Sequence, residues 1–269
     1  MKQFSNIRQF NKRVIVSGKV LEIYEYENPI CKGFAQKKAG RGNSIHTSEE
    51  VKETNRRKTA QRARATVRRT ANANPQLNKF LTLTYADNET NLTQARKDFD
   101  KFVKRVKTRY KDFQYLNVVE FQKRGAVHFH MLCNLPYVDV NEFSKVWGHG
   151  FIKVNRIDNV DNVGAYITKY MTKENVDARL AGRKCYSMSK GLQEADTYTD
   201  ENEINDVLES LENVKRIHSS EFETEYYGIV RYTQVVCSKP IKSPRRRRRL
   251  FQKWRNAFEV LPDDTPCPF

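Results

Sequence analysis

Two histidines one residue apart stand inside an apolar run, Val127-His128-Phe129-His130-Met131-Leu132, in a chain with only five histidines. Residues two apart on a β-strand share a face, so both imidazoles project the same way, within reach of one cation. A buried pair satisfied by hydrogen bonds is the competing reading, and the pair alone does not separate the two. Glu120 supplies a third donor. Its neighbours Val118, Val119 and Phe121 are apolar, and a carboxylate among such groups is costly without a cationic partner. If Lys123-Arg124-Gly125 forms a loop closed by a left-handed glycine, Gln122 pairs with Ala126 and Glu120 falls opposite His128. Glu120, His128 and His130 then share one face of a hairpin. Two neutral imidazoles and one carboxylate suit a divalent ion, Mn²⁺ or Mg²⁺, with water completing the shell.

The second set of reactive side chains lies in Val163-Gly164-Ala165-Tyr166-Ile167-Thr168-Lys169-Tyr170-Met171-Thr172-Lys173. On a helix, Tyr166 and Tyr170 fall about 40° apart, one turn from each other. Val163, Ile167 and Met171 lie to one side of them, Lys169 and Lys173 to the other. The tyrosines thus occupy the seam between a packing face and a lysine-bearing face. Core tyrosines packed on a sheet are one reading. The other is a phenolate nucleophile attacking phosphorus, with a lysine stabilising the charge.

The elements that would position these groups follow from periodicity. Val14 to Val20, continuing through Leu21 to Tyr26, reads as a strand or hairpin. A helix starts near Thr47 or Ser48, with Glu49 and Glu50 in its first turn, and Pro75 closes it. Phe80 to Tyr85 alternates as a strand, and Leu92, Ala95, Phe99, Phe102, Val103, Val106 and Tyr110 recur at helical spacing. Phe113 to Phe121 and Ala126 to Leu132 are the arms of the histidine hairpin. Asp139 caps a short helix carrying Val140, Phe143, Val146 and Trp147, and Phe151 to Ile157 is a fourth strand. This order, β-α-β-β-α-β, is the ferredoxin-like split unit of an α+β fold with an antiparallel sheet. A helix over about residues 159–174 follows. Beyond Gly191, Ile204, Val207, Leu208, Leu211 and Val214 predict an amphipathic helix, and Phe222 to Val236 a strand. Ser243-Pro244 opens a last helix. The expected division is 1–78, 79–192 and 193–269: a hairpin with a basic helix, the histidine–tyrosine domain, and an α/β extension.

The chain of 269 residues carries 49 Lys+Arg against 32 Asp+Glu, a formal charge of +17. That excess points to a polyanion, because neutralising phosphates releases condensed counterions. The charge is clustered: Arg56, Arg57, Arg62, Arg64, Arg68 and Arg69 lie on the first helix, and Arg245, Arg246, Arg247, Arg248 and Arg249 at the start of the last. Five arginines at a helix N-terminus oppose the macrodipole, so helix stability does not account for them. Both runs are expected to contact DNA phosphates, with a merely solvated face as the alternative. No apolar window is long enough to span a bilayer and Met1 to Arg13 lacks a signal-peptide core. Five cysteines without a CxxC pair suit reduced thiols. A cytoplasmic protein with no membrane partner is expected.

Taken in order, Phe80-Leu81-Thr82-Leu83-Thr84-Tyr85, then His-Phe-His, then Tyr-x-x-Lys-Tyr resemble the three motifs of the HUH endonucleases. The paired tyrosines resemble the two-tyrosine rolling-circle replication initiators (Rep proteins) of plasmids and single-stranded DNA phages. The resemblance spans about residues 79–175; residues 196–269 match no pattern. It implies a nicking enzyme in which His128, His130 and Glu120 hold a divalent metal (Mn or Mg) that polarises the scissile phosphodiester. The glutamate is carried over from single-tyrosine relatives. It further implies that Tyr166 attacks to leave a 5′-phosphotyrosyl link and a free 3′-OH, that Lys169 and Lys173 stabilise charge, and that Tyr170 performs a second transfer. The implied substrate is origin DNA, single-stranded or extruded at the nick. With no G-x-x-x-x-G-K-[ST] loop in the chain, a host helicase is the implied partner. Relaxases and transposases share the histidine pair, though relaxases usually place their tyrosine before it. A non-catalytic ferredoxin-like sheet binding RNA through aromatics is the remaining alternative.

Overall fold

In the computed structural model, residues 8–33, 48–157, 160–171, 178–180 and 183–244 are described. In chain order the elements are β1 (Arg8–Ser17), β2 (Val20–Lys32), α1 (Glu49–Ala73), β3 (Lys79–Thr84), α2 (Leu92–Arg109), β4 (Tyr115–Phe121) and β5 (Val127–Cys133). They continue with α3 (Val140–Trp147), β6 (Ile152–Arg156), α4 (Val163–Thr168), β7 (Tyr186–Met188), β8 (Asp196–Tyr198), α5 (Glu201–Glu209), β9 (Val214–Thr224) and β10 (Gly228–Cys237). The fold is α+β, with two antiparallel five-stranded sheets.

Residues 35–195 form one compact unit. Its sheet runs β6-β3-β5-β4-β7. The first four strands have the ferredoxin-like order, in which the first and third strands of the β-α-β-β-α-β unit are central. The short β7 adds an edge beside β4 that no local pattern announces. Alternation divides the side chains between two faces. Leu81, Leu83, Val119, Phe129 and Met131 point to one side and pack with Leu92, Phe99, Phe102 and Val106 of α2 and Phe143 and Trp147 of α3. Phe80, Leu116, Val118 and Leu132 point to the other and pack with Val67 and Ala71 of α1 and Ile167 of α4. The face left open in the basic split unit is here covered by α1 and α4.

Local chemistry explains the ends. The Ser48 hydroxyl accepts from Val51 N and starts α1, and the Asp139 carboxylate accepts from Glu142 N and starts α3. Some lengths differ from the sequence expectation. The helix expected over 159–174 is α-helical only over Val163–Thr168. Lys169, Tyr170 and Met171 then donate to the carbonyls three residues back, a tightened 3₁₀-type end. Leu211 and Val214 do not extend α5: Asn213 adopts φ 55°, and Val214 begins β9. The single strand expected over 222–236 is a hairpin, β9 turning into β10.

The second unit, residues 1–34 and 196–269, joins the two ends of the chain. Its sheet runs β8-β1-β2-β10-β9, and α5 buries Ile204 and Val207 against Val14, Val16, Leu21 and Val235 on one face. The N-terminal hairpin thus shares a core with the C-terminal strands, while α1 belongs with the histidine–tyrosine unit. The linear division at 78 and 192 groups these segments differently. Arg245 to Arg249 and Lys173 lie outside the described residues.

Candidate metal and nucleophile site

The β4–β5 hairpin turns where the loop chemistry places it. Gly125 takes φ 92°, its N–H donates to Gln122 O at 2.8 Å, and Gln122 N donates to Ala126 O at 2.9 Å. Glu120 is therefore the direct partner of His128. Thr82 pairs with His130 from the other side. Glu120, Thr82, His128 and His130 all project to the face covered by α1 and α4.

There, one ligand atom from each of Glu120, His128 and His130 lies within 4.8 Å of the other two. His130 Nε2 stands 2.6 Å from Glu120 Oε2, and its Nδ1 is 3.3 Å from the Thr82 hydroxyl. Thr82 thus orients the ring so that Nε2 faces the cluster, the role an outer partner plays for a metal-ligating histidine. Both histidines are buried, with 7 % and 4 % of their surface exposed. Among the described residues, His128 Nε2 has no hydrogen-bond partner. A buried ring nitrogen left unpaired is costly, and a metal–nitrogen bond would satisfy it. Burial lowers the His128 pKa, the His130 charge lowers it further, Glu120 opposes this, and Arg124 adds to it. The ring is therefore held neutral, the form that binds a cation. A divalent ion fits these residues.

The tyrosines lie over this cluster. The Tyr170 ring stacks on His130 with centroids 3.8 Å apart and 23° between planes, and also stacks on Phe80 at 5.3 Å. Tyr166 meets Phe80 edge-on at 5.0 Å and lies 6.2 Å from Tyr170, ring to ring. Burial pushes the Tyr170 pKa up to about 12, helped by its hydrogen bond to Tyr166, by Tyr166's charge and by Glu120. A bond that favours protonated Tyr170 is one that Tyr170 donates, so the Tyr166 oxygen is the acceptor. The Lys169 ammonium sits 5.6 Å from the Tyr166 ring centroid. The structure thus brings Glu120, His128, His130, Tyr166, Tyr170 and Lys169 together.

Sequence reading missed three groups that shape this site. Thr82 faces His130 from the neighbouring strand, a pairing set by sheet order. Arg124 acts electrostatically on His128 from the hairpin loop. Asn72, near the end of α1, accepts from Gly164 N at 2.7 Å. None has a local signal in the sequence, because each partner is distant along the chain or set by side-chain direction.

Of the six arginines read on α1, Arg56, Arg57 and Arg62 are exposed, whereas Arg64, Arg68 and Arg69 are partly buried. Arg64 is turned inward and donates to Met171 O.

Residues 78–175 match the family described as Replication-associated protein ORF2. The matched segment is a little over a third of the chain and contains the metal cluster and both tyrosines. It supports a role in replication initiation. No curated protein and no solved structure gives a match. Among the described residues, no helix is long and apolar enough to cross a membrane.

Proposed function

We propose that this chain initiates rolling-circle replication as a metal-dependent DNA-nicking and strand-transfer enzyme of the two-tyrosine HUH type. The observation that carries this reading is the stack of Tyr170 on His130, beside Tyr166, directly over the Glu120–His128–His130 cluster. Buried tyrosines serving only as packing would not need an unpaired imidazole nitrogen and a carboxylate beneath them.

Glu120, His128 and His130 would hold Mn²⁺ or Mg²⁺, which when bound supplies Lewis acidity toward a phosphodiester oxygen. The rest falls to the chain's own groups. Tyr166 accepts a hydrogen bond from Tyr170 and has Lys169 over its ring, so it is the phenol best placed to develop negative charge. Its oxygen attacks phosphorus, the phenolic proton leaves to solvent, and the P–O3′ bond breaks. The products are a 5′-phosphotyrosyl link and a 3′-OH. Protonated Tyr170 remains for a second transfer, in which its oxygen attacks the regenerated junction and is in turn displaced by a 3′-OH. Lys173 would repeat for Tyr170 the relation of Lys169 to Tyr166. Single-stranded or extruded origin DNA is the substrate, the basic runs hold its phosphates, and a host helicase separates the strands in the cytoplasm.

The test is cleavage of labelled single-stranded DNA, with candidate origin sequences, across a Mn²⁺ and Mg²⁺ titration. Cleavage should require metal, stop in His128→Ala and His130→Ala, and leave protein on the 5′ end. Affinity for DNA should survive both substitutions, because dispersed phosphate contacts supply most of it. Cleavage by His128→Ala in excess EDTA would sink the metal assignment.

A further inference from the structure

The tyrosine helix cannot place itself. At six residues α4 is far shorter than a helix that is stable alone, and its orientation must come from what it touches. Those contacts come largely from one stripe of α1, formed by Arg64, Val67, Arg68, Ala71 and Asn72 at spacings of three and four. At the start of α4, the Asn72 Oδ1 accepts from Gly164 N at 2.7 Å and its Nδ2 donates to Asn162 Oδ1 at 3.0 Å. Asn162 Oδ1 also accepts from Ala165 N at 3.0 Å. The two asparagines thereby share the free N–H groups of the first turn. In the same turn, a Cβ on Gly164 would come within 2.1 Å of Arg68 O, so only glycine lets the two backbones approach this closely. Past the tyrosines, the Arg64 guanidinium donates to Met171 O. Between these ends, Ile167 and Met171 pack with Val67 and Ala71.

We propose that α1 is the positioning strut of the nucleophiles, with Asn72 as the positioning residue that sets Tyr166 and Tyr170 over His130. The inference rests on the nicking reading for its catalytic meaning, but its geometry is independent of it. Residues 64–72 lie outside the segment 78–175 that carries the family match, so this chain completes the matched site from a preceding helix. Asn72 is itself 9 % exposed and touches neither metal ligand nor tyrosine among its hydrogen bonds. It acts through α4.

The test combines nicking kinetics with NMR of the metal-free full chain. Tyr170 lies flat on His130, so the His130 imidazole protons carry a ring-current shift that reports the tyrosine's placement. Asn72→Leu should move those resonances toward unstacked values and lower the single-turnover cleavage rate about tenfold or more, because small misplacements of a nucleophile are costly. DNA Kd and Mn²⁺ affinity should stay within about twofold of the parent, since neither set of contacts is touched. Asn72→Asp keeps the acceptor for Gly164 N–H and should retain most of both signals. Arg64→Met, which releases the other end of the turn, provides a second reading of the His130 shift should Asn72→Leu not fold. Unchanged His130 resonances in a folded Asn72→Leu chain, or Mn²⁺ affinity falling in step with cleavage, would overturn the proposal. A parent protein that never cleaves would defeat the nicking reading, while the His130 shifts would still decide the strut.

Discussion

At the scale of single residues, the decisive feature is a histidine held neutral by burial. A folded-state pKa below the ordinary value of about 6.5 means that, in acid, the unfolded chain takes up a proton that native His128 refuses. Its contribution to stability is therefore full above about 6.5 and declines as pH falls below that value. Thermal unfolding should accordingly occur at lower temperature from pH 7.5 to 5.5, and less steeply in His128→Gln; equal slopes would place the titration elsewhere. Added Mn²⁺ should raise the midpoint at neutral pH, by about 2.7 kcal/mol of stability at a hundred times its Kd, and His130→Ala should abolish that gain. The tyrosines call for a separate measurement. Tyr166→Phe should form no protein–DNA adduct, because the accepting oxygen is lost. Tyr170→Phe keeps the stack on His130 and should still nick, but release no closed circle. Peptide mapping of the adduct checks the order: label on Tyr170 in the parent protein would reverse the two roles.

At the scale of elements, the site depends on a hairpin register and a short helix, and the two were unequally legible. Glu120 opposite His128 was readable because loop chemistry is local: a left-handed Gly125 after Lys123-Arg124 fixes the count of residues across the turn. Gly125→Ala should thus cost about 1 kcal/mol of stability and raise the Mn²⁺ concentration for half-maximal cleavage, while Gly125→Asn, which tolerates this backbone, should lose less. Denaturant melts and metal titration of both variants check this, and equal losses would discount the turn. The four strands and the helices α2 and α3 were equally legible, each carrying its own period of apolar residues. The length of α4 was not. Ile167 and Met171 satisfy a helical pattern whether or not the last turn tightens, so nothing local marks the change after Thr168. Tyr186-Ser187-Met188 is too short to carry an alternation, and it becomes β7 only because β4 offers an edge. Leu211 and Val214 keep helical spacing across a break made by the backbone of Asn213. Pairing of β2 with β10 joins segments nearly two hundred residues apart or more, and no single-sequence period reports such contacts.

At the scale of the whole molecule, the excess of 49 basic over 32 acidic residues acts where it is exposed, and the structure separates arginines that read as one run. Arg56 and Arg57 both lie near Glu53, at 3.6 and 3.3 Å, but these pairs are solvent-exposed and weak, so phosphate can displace them. With Arg62, also exposed, they form the part of α1 available to DNA. Arg64 instead holds the end of the tyrosine turn. Two kinds of arginine on one helix should give two kinds of phenotype. Replacing Arg56, Arg57 and Arg62 by Gln should weaken binding to single-stranded DNA of any sequence. The slope of log K against log salt should flatten by about two, since each lost contact removes about 0.7 on a single strand. Cleavage at saturating DNA should be little changed. Arg64→Gln should do the reverse, lowering the cleavage rate more than the affinity. Neutralising Arg245 to Arg249 should flatten the salt slope by about 3.5 if all five meet phosphate. Binding isotherms between 50 and 200 mM salt (roughly the range over which such contacts are lost) on origin and scrambled strands check all three. An effect confined to the origin strand would assign the arginines to base reading, and an unchanged slope would leave them a solvated face.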